Sequence, residues 1–346
     1  MKTTSTMATT PLGAARKELL ERICTAYAKA QESAKDYEQE YAATSWWQQV
    51  RARNLSPVQT ALACFDVAAL KTMYARFYRD PCSKGLIGWP RCWDGDTARE
   101  RIEEADLHTM REETLYRLAC WRAGTDGQYP LSVLESPEVG EPFGVSIDGT
   151  FVTTRAEYHH ASASRIASLA PPSGTVVEIG GGYGGMAYYL LRQPSGLRYI
   201  DFDVPESLAL AAYYLDNALP ERTLVLCGEQ PDTLEDLPAG AIVLLPPWQM
   251  TSLPDGYADI TFSAHLLCDL QPVARERYLR EIARFTSRYL LDWGREDDVV
   301  AEAFNRHFHL MEKRRTTWHL YRDPNAKEWE LLLQTRRTEA AIQPRH

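Results

Sequence analysis

The sequence predicts an α/β fold, with a mostly parallel sheet in the second half of the chain and a helical domain ahead of it. Three observations lead there. The stretch Thr175–Ile179 favours a strand, and it runs into three adjacent glycines and then the helical stretch Met186–Leu191, which is a strand, a tight turn and a helix start. Beyond it, strand-like apolar runs alternate with helical ones as far as Trp293, as in parallel βα units. Before it, the residues from Leu12 to Trp121 are mostly helical in composition.

Composition narrows the class. The 346 residues leave room for one such sheet domain and a substantial accessory domain, so two cores are expected. Hydrophobic content of 45% and charged content of 25% are ordinary for a soluble protein. No run approaches the roughly 18 apolar residues of a membrane helix. The opening MKTTSTMATTPLG lacks an apolar h-region, so no secretory signal is expected. The seven cysteines are scattered and never in C-x-x-C spacing, which fits a reduced, cytoplasmic protein. Cys82 and Cys92 with the remote His159 and His160 make a poor four-ligand set, and no metal is expected. A net charge of −9 disfavours nucleic acid, whose binding draws on phosphate neutralisation, and favours a small neutral or cationic substrate.

In chain order, residues Leu12 to about Ser45 form a long amphipathic helix with Leu19, Ile23, Tyr27 and Ala30 on one stripe. That stripe is expected to face the core; a homodimer through the N-terminal helices is the sharper alternative. Trp46 and Trp47 end it, as packing residues or as a wall of a substrate pocket. Ser56 and Pro57 start a second helix, Val58 to Tyr78, which Pro81 ends. Cys82 to Asp96 is a loop, and Asp96 opens a third helix reaching Trp121. Glycines and prolines between Gly124 and Gly149 mark a linker, and Phe151 to Leu169 is a helix leading into the central strand. The expected domains are thus a helical accessory domain at 1–130, a linker and lead-in helix at 131–170, and the sheet domain at 171–346. Within the last, a helix spans Glu206 to Leu219. Ala241–Leu245 is preferred to Leu224–Leu226 as the third strand, the latter being an extra short one. A strand at Ala258–Ser263, a helix at Pro272–Ser287 and a strand at Arg288–Trp293 follow. A helix at Asp297–Phe308 and strands at Arg315–Tyr321 and Lys327–Arg337, joined by Asp323-Pro324-Asn325, end the chain as an antiparallel hairpin.

The chemistry is concentrated in TVVEIGGGYGG, Thr175 to Gly185. Gly180, Gly182 and Gly185 satisfy G-x-G-x-x-G, which admits a dinucleotide. Glu178 changes the balance, because E-x-G-x-G is the usual opening of class I methyltransferases that bind S-adenosyl-L-methionine. A carboxylate there fixes the loop or meets the ammonium of the cofactor. The next strand ends in an acid about 20 residues on, where a ribose diol is held; Asp203 is the candidate, and Asp201 lies on the same face. Trp248 and Gln249 follow the third strand at its carboxyl end and are candidates for the adenine.

Read together, EIGGGYGGMAYYLL, YIDFDVPESLALAAYYL, LLPPWQM and ITFSAHLLCDL resemble the family of sugar O-methyltransferases. That family carries a similar glycine loop, then D-L-P-E, P-x-Q and N-T-x-S-L-x-E-M segments in this order. The resemblance covers about half of the chain, Phe143 to Trp293. It implies a Rossmann-like class I methyltransferase sheet, S-adenosyl-L-methionine as cofactor and a sugar-like acceptor. Val204 departs from the family's leucine, and Asp269 stands where the family has glutamate, in a segment that borders the substrate.

The expected reaction is methyl transfer to a small polar metabolite, foremost the O-methylation of a sugar-like hydroxyl, which needs a base. His265 after the fourth strand is the candidate, with Asp269 to orient it or to bind substrate. Tyr158, His159 and His160 lie on the lead-in helix, and adjacent helical side chains point about 100° apart, so one histidine at most faces the site. N-methylation of an amine or guanidine is the alternative, with Asp269, Glu157, Trp248 and Trp293 around the cation. A binding protein that retains the fold without activity is a third reading.

Overall fold

Thr175–Ile179, Arg198–Phe202 and Ile242–Leu245 each carry apolar residues on both of their alternating faces, a pattern that suits strands covered on both sides. In the computed structural model they are the centre of an eight-stranded sheet. The structure describes residues 12–336, apart from 35–36, 38–39, 42–43, 88–92, 95–96, 99–102 and 296–297.

The N-terminal half supplies α1 (Leu12–Ala34), α2 (Ser45–Val50), α3 (Ser56–Ala63), α4 (Val67–Ala75), the short pair β1 (Trp93–Asp94) and β2 (Thr97–Ala98), and α5 (Glu104–Gly124). A hairpin of β3 (Gly144–Ile147) and β4 (Thr150–Thr153) leads to α6 (Ala156–Leu169). Then come β5 (Thr175–Ile179), α7 (Gly185–Leu191), β6 (Arg198–Phe202), α8 (Pro205–Ala218), β7 (Leu224–Leu226), β8 (Ile242–Leu245) and β9 (Ala258–Ala264). α9 (Leu266–Asp269), α10 (Pro272–Phe285), β10 (Thr286–Arg295), α11 (Asp298–His307), β11 (Phe308–Thr316) and β12 (Glu328–Thr335) complete the chain.

The sheet order is β11-β12-β10-β9-β5-β6-β8-β7. β7 through β10 are mutually parallel with β5 and β6, while β12 runs antiparallel to β10 and to β11. This is the expected Rossmann-like methyltransferase sheet: five parallel strands wound outwards from β5, a reversed hairpin at one edge and β7 as the added strand at the other. The register aligns Ile179 with Phe202 and with Ser263, and Ser263 with Asp292. The carboxyl ends of four strands therefore form one rim, at the switch point where ligands bind in such sheets.

Several boundaries differ from expectation, each for a local reason. α1 stops at Ala34. The second helix is two, because Phe65 takes a left-handed φ of 55° and the Asp66 carboxylate caps the Ala69 N–H at 3.0 Å, starting α4 afresh. The third helix begins at Glu104, and the expected start at Asp96 lies outside the described residues. Residues 151–153 belong to β4, and β11 covers 308–316 where a helix end and a later strand were expected. Residues 317–327, where the hairpin strand was placed, form its turn.

Two cores are present, but they are the two faces of the sheet and not one per domain. Val176 falls in one and its neighbour Val177 in the other, as strand alternation requires. Leu19, Leu20, Ile23 and Tyr27 of α1 share the first core with Leu208, Ala211 and Leu215 of α8, so the apolar stripe of α1 is covered by its own chain. The helical segment is also tied down by polar contacts. The Glu206 carboxylate, 1% exposed, accepts from the Trp47 indole N–H at 3.0 Å and from the Arg51 guanidinium through both oxygens.

Removing Arg51 leaves that carboxylate buried with one neutral donor. Arg51→Ala is expected to cost about 2–3 kcal/mol in urea denaturation, and Arg51→Ala with Glu206→Gln to cost less than Arg51→Ala alone. An Arg51→Ala midpoint equal to the wild type's would show that the pair does not hold the helical segment.

Candidate active site

The turn after β5 is possible because Gly180 and Gly182 sit at φ of 83° and 63°, backbone that a side chain disfavours. Two acids of the neighbouring strand end hold it. Asp201 accepts from the Gly181 N–H at 3.0 Å, and Asp203 accepts from the Gly182 N–H at 2.9 Å and the Val204 N–H at 2.6 Å. The second oxygen of Asp201 has no hydrogen-bond partner. Glu178, inside β5, accepts from the Tyr199 hydroxyl. Burial pushes the Glu178 carboxyl up to about 8, reinforced by the nearby charge of Asp203. Burial likewise pushes Asp203 up to about 7 despite its two amide donors, and raises Asp201 well above its ordinary range. Three carboxyls in a water-poor place form a pocket that gains by receiving positive charge or hydroxyl donors.

A cleft of about 1260 Å³ opens over this rim. Glu178, Gly180, Gly182 and Asp203 line one part of it, and Tyr158, His159, His265 and Asp269 another. The helical segment closes it with Trp46, Trp47 and Gly85, and Gly85 packs so closely that an added Cβ would meet Trp47 at 2.8 Å. Both indoles line the cleft, and Trp47 also packs in the first core. Trp248 and Gln249 are not in the cleft. The Trp248 indole donates to Ser33 of α1 at 2.9 Å, and Gln249 is engaged by Gln230 and Cys227. Both turn away because their short 3-10 turn packs toward α1 and the β7 edge, which leaves Pro247 as its contribution to the cleft.

The two adjacent histidines part as helical geometry demands. His159 faces the cleft, its Nδ1 3.5 Å from the Tyr183 hydroxyl, while the His160 Nδ1 accepts from the Trp121 indole at 3.1 Å. Burial drives the His159 imidazole well below its ordinary pKa and so keeps it neutral. Glu157 points elsewhere: it is buried, and burial pushes it up to about 7 against the opposing charge of Arg117.

His265 holds a left-handed backbone, φ 63°, at the turn from β9 to α9, pinned by its N–H donating to the Trp293 carbonyl at 2.7 Å. The Arg275 guanidinium, buried, fixes the rest of the turn by donating to the carbonyls of Leu267, Cys268 and Leu270. The His265 Nε2 is 3.4 Å from the Tyr158 hydroxyl. Burial lowers the imidazole to about 4, so it is neutral and able to accept a proton. Asp269 does not orient it, because its carboxylate is taken by Arg295. The acid beside His265 is Glu328, 3.8 Å from the Nδ1, and it also accepts from the His319 Nδ1 at 2.6 Å. Neither His319 nor Glu328 stands out in the sequence. They reach the cleft because β12 is antiparallel: its first residue, Glu328, pairs with Arg295 at the last of β10 and so begins where the parallel strands end.

No family model matches the sequence, and no curated protein matches it. Solved structures match it at low identity. A SAM-dependent methyltransferase from Methanosarcina mazei is 14% identical, with 49% of this chain and 96% of that one covered at a TM-score of 0.36. Magnesium protoporphyrin IX methyltransferase from Synechocystis, with bound SAM, is 10% identical over 69% and 100% at 0.36. A [4+2]-cyclase, SpnF, is 12% identical over 65% and 95% at 0.39. At these values no residue role is transferred, and the fold rests on the chain's own strand order.

A carboxyl whose pKa rises on folding binds its proton more tightly in the folded state. It therefore adds stability below its ordinary value of 4.5, and that stability is lost as pH rises toward about 8. Glu178→Gln is expected to remove from the ligand-free protein's thermal midpoint a part that falls over this window, so that the midpoint of the variant gains on the wild type's as pH rises. Parallel curves for the two proteins would place the titrating group elsewhere.

Proposed function

We propose that this chain is an S-adenosyl-L-methionine-dependent methyltransferase of a small polar metabolite, with a sugar-like hydroxyl as the foremost acceptor. The observation that carries the reading is the set of three buried acids around the glycine turn, two of which, Glu178 and Asp203, line the cleft that also holds His265. Such a pocket suits an ammonium, a sulfonium and a ribose diol. In their ionised forms these acids repel the pyrophosphate of a dinucleotide, which G-x-G-x-x-G alone would admit.

The cofactor supplies an activated methyl group when bound. Glu178 and Asp203 would hold its amino and ribose ends, and the bare backbone of Gly180 and Gly182 lets it approach. The indoles of Trp46 and Trp47 exclude water from that side of the cleft. His265, neutral and fixed at both backbone and ring, takes the acceptor hydroxyl's proton at an imidazole nitrogen. Tyr158 and His159 shape the acceptor's side. N-methylation has less support, since a cationic acceptor needs a carboxylate of its own, while Asp269 is paired with Arg295 and Glu157 is buried outside the cleft.

Incubation with labelled S-adenosyl-L-methionine and a panel of sugars and amino acids tests the reading, and transfer to none of them would count against it. Gly182→Val is expected to abolish cofactor binding in calorimetry while the protein stays folded, and undiminished affinity would displace the cofactor from this turn. Asp203→Ala should weaken it by about 1.5–3 kcal/mol, the scale of charge-assisted hydrogen bonds. With a hydroxyl acceptor, His265→Ala should lower turnover about 10²- to 10⁴-fold with cofactor affinity nearly unchanged. A larger loss in Asp269→Asn than in His265→Ala would instead indicate a cationic acceptor.

A further inference from the structure

His265, His319 and Glu328 are the one group among the described residues whose ligand atoms converge as a metal site requires, lying within 4.8 Å of one another. We propose that they hold a first-row divalent cation, Zn²⁺ or Mn²⁺, and that this cation anchors two adjacent oxygens of the acceptor. The proposal rests on the methyltransferase reading for what the acceptor is, but not for the site itself.

Two imidazoles and one carboxylate are a donor set for such cations, leaving coordination positions open. Ligand atoms around a cation bonded at about 2.0–2.2 Å stand roughly 3.0–3.5 Å apart. Here Glu328 and His319 are 2.6 Å apart through a hydrogen bond, Glu328 and the His265 Nδ1 are 3.8 Å apart, and all three ligand atoms lie within 4.8 Å, so small side-chain rotations bring them to that range. The 3.8 Å separation is beyond a hydrogen bond, so hydrogen bonding between Glu328 and His265 does not explain their approach. The other nitrogen of His265 faces the Tyr158 hydroxyl, the kind of outer partner that orients a metal-bound imidazole. His265 also keeps a backbone conformation costly for a side-chain-bearing residue, which is retained where a site requires it. All three residues line the cleft, so the open positions face the acceptor.

A cation here would restrict the acceptor to molecules with neighbouring oxygens, such as vicinal diols or hydroxy acids. It would also lower the pKa of the bound hydroxyl. With the cation bound, His265 serves as ligand in place of the base role it has without the metal, and the hydroxyl's proton leaves to water in the cleft.

The test is titration of the metal-free full chain, without a histidine tag, with Zn²⁺ by calorimetry and with Co²⁺ by visible absorption. One equivalent is expected to bind, with affinity falling roughly 100-fold or more in His319→Ala and in Glu328→Gln. His307→Ala is the control, since His307 meets Glu276 at the same 2.6 Å but belongs to no converging group. It should bind as the wild type does. No binding by the wild type, or equal binding by wild type, His319→Ala and Glu328→Gln, overturns the proposal. Cofactor titration of the same variants shows whether they remain folded. Loss of cofactor binding by the wild type would overturn the methyltransferase reading and leave the metal result standing.

Discussion

Two aspartates at the end of β6 hold the glycine turn by its own amides, and the site depends on that grip. A turn of three glycines has no side chains with which to fix itself. Asp201 and Asp203 supply the missing contacts from the neighbouring strand, one at Gly181 and one at Gly182. The register between β5 and β6, set by apolar residues on both faces, is what brings them there. The cost is two carboxyls packed near a third, Glu178, away from water. That cost makes the empty pocket receptive to a cation, so one arrangement both fixes the turn and prepares it for a ligand.

The parts legible in the sequence were those where local pattern and tertiary environment agree. Thr175–Ile179 and the glycines after it could scarcely be anything else, and choosing Ala241–Leu245 over Leu224–Leu226 as the third strand followed from loop length. What misled was context. Trp248 and Gln249 stand at a strand's carboxyl end, yet the turn they occupy packs against α1, a helix more than two hundred residues earlier. Asp269 lies one helical turn from His265 and looked like its partner, but Arg295 on the next strand claims it.

His319 and Glu328 were invisible for a different reason. No spacing rule joins them to His265, because what joins them is strand direction. Only when β12 is known to run against β10 does its first residue fall at the rim where the parallel strands finish. Sequence shows that two strands end the chain; it does not show which side chains the reversal delivers to the cleft.

The helical segment adds nothing to the order of the sheet, yet it carries the indoles that wall the cleft and is anchored through Glu206, three residues past Asp203. The order of the sheet and the indole wall of the cleft thus rest on separate stretches of the chain. A change that moves α2 moves both its indoles and the Trp47 and Arg51 grip on Glu206. One buried carboxylate is therefore the link between the stretch that walls the cleft and the strand end that presents Asp203.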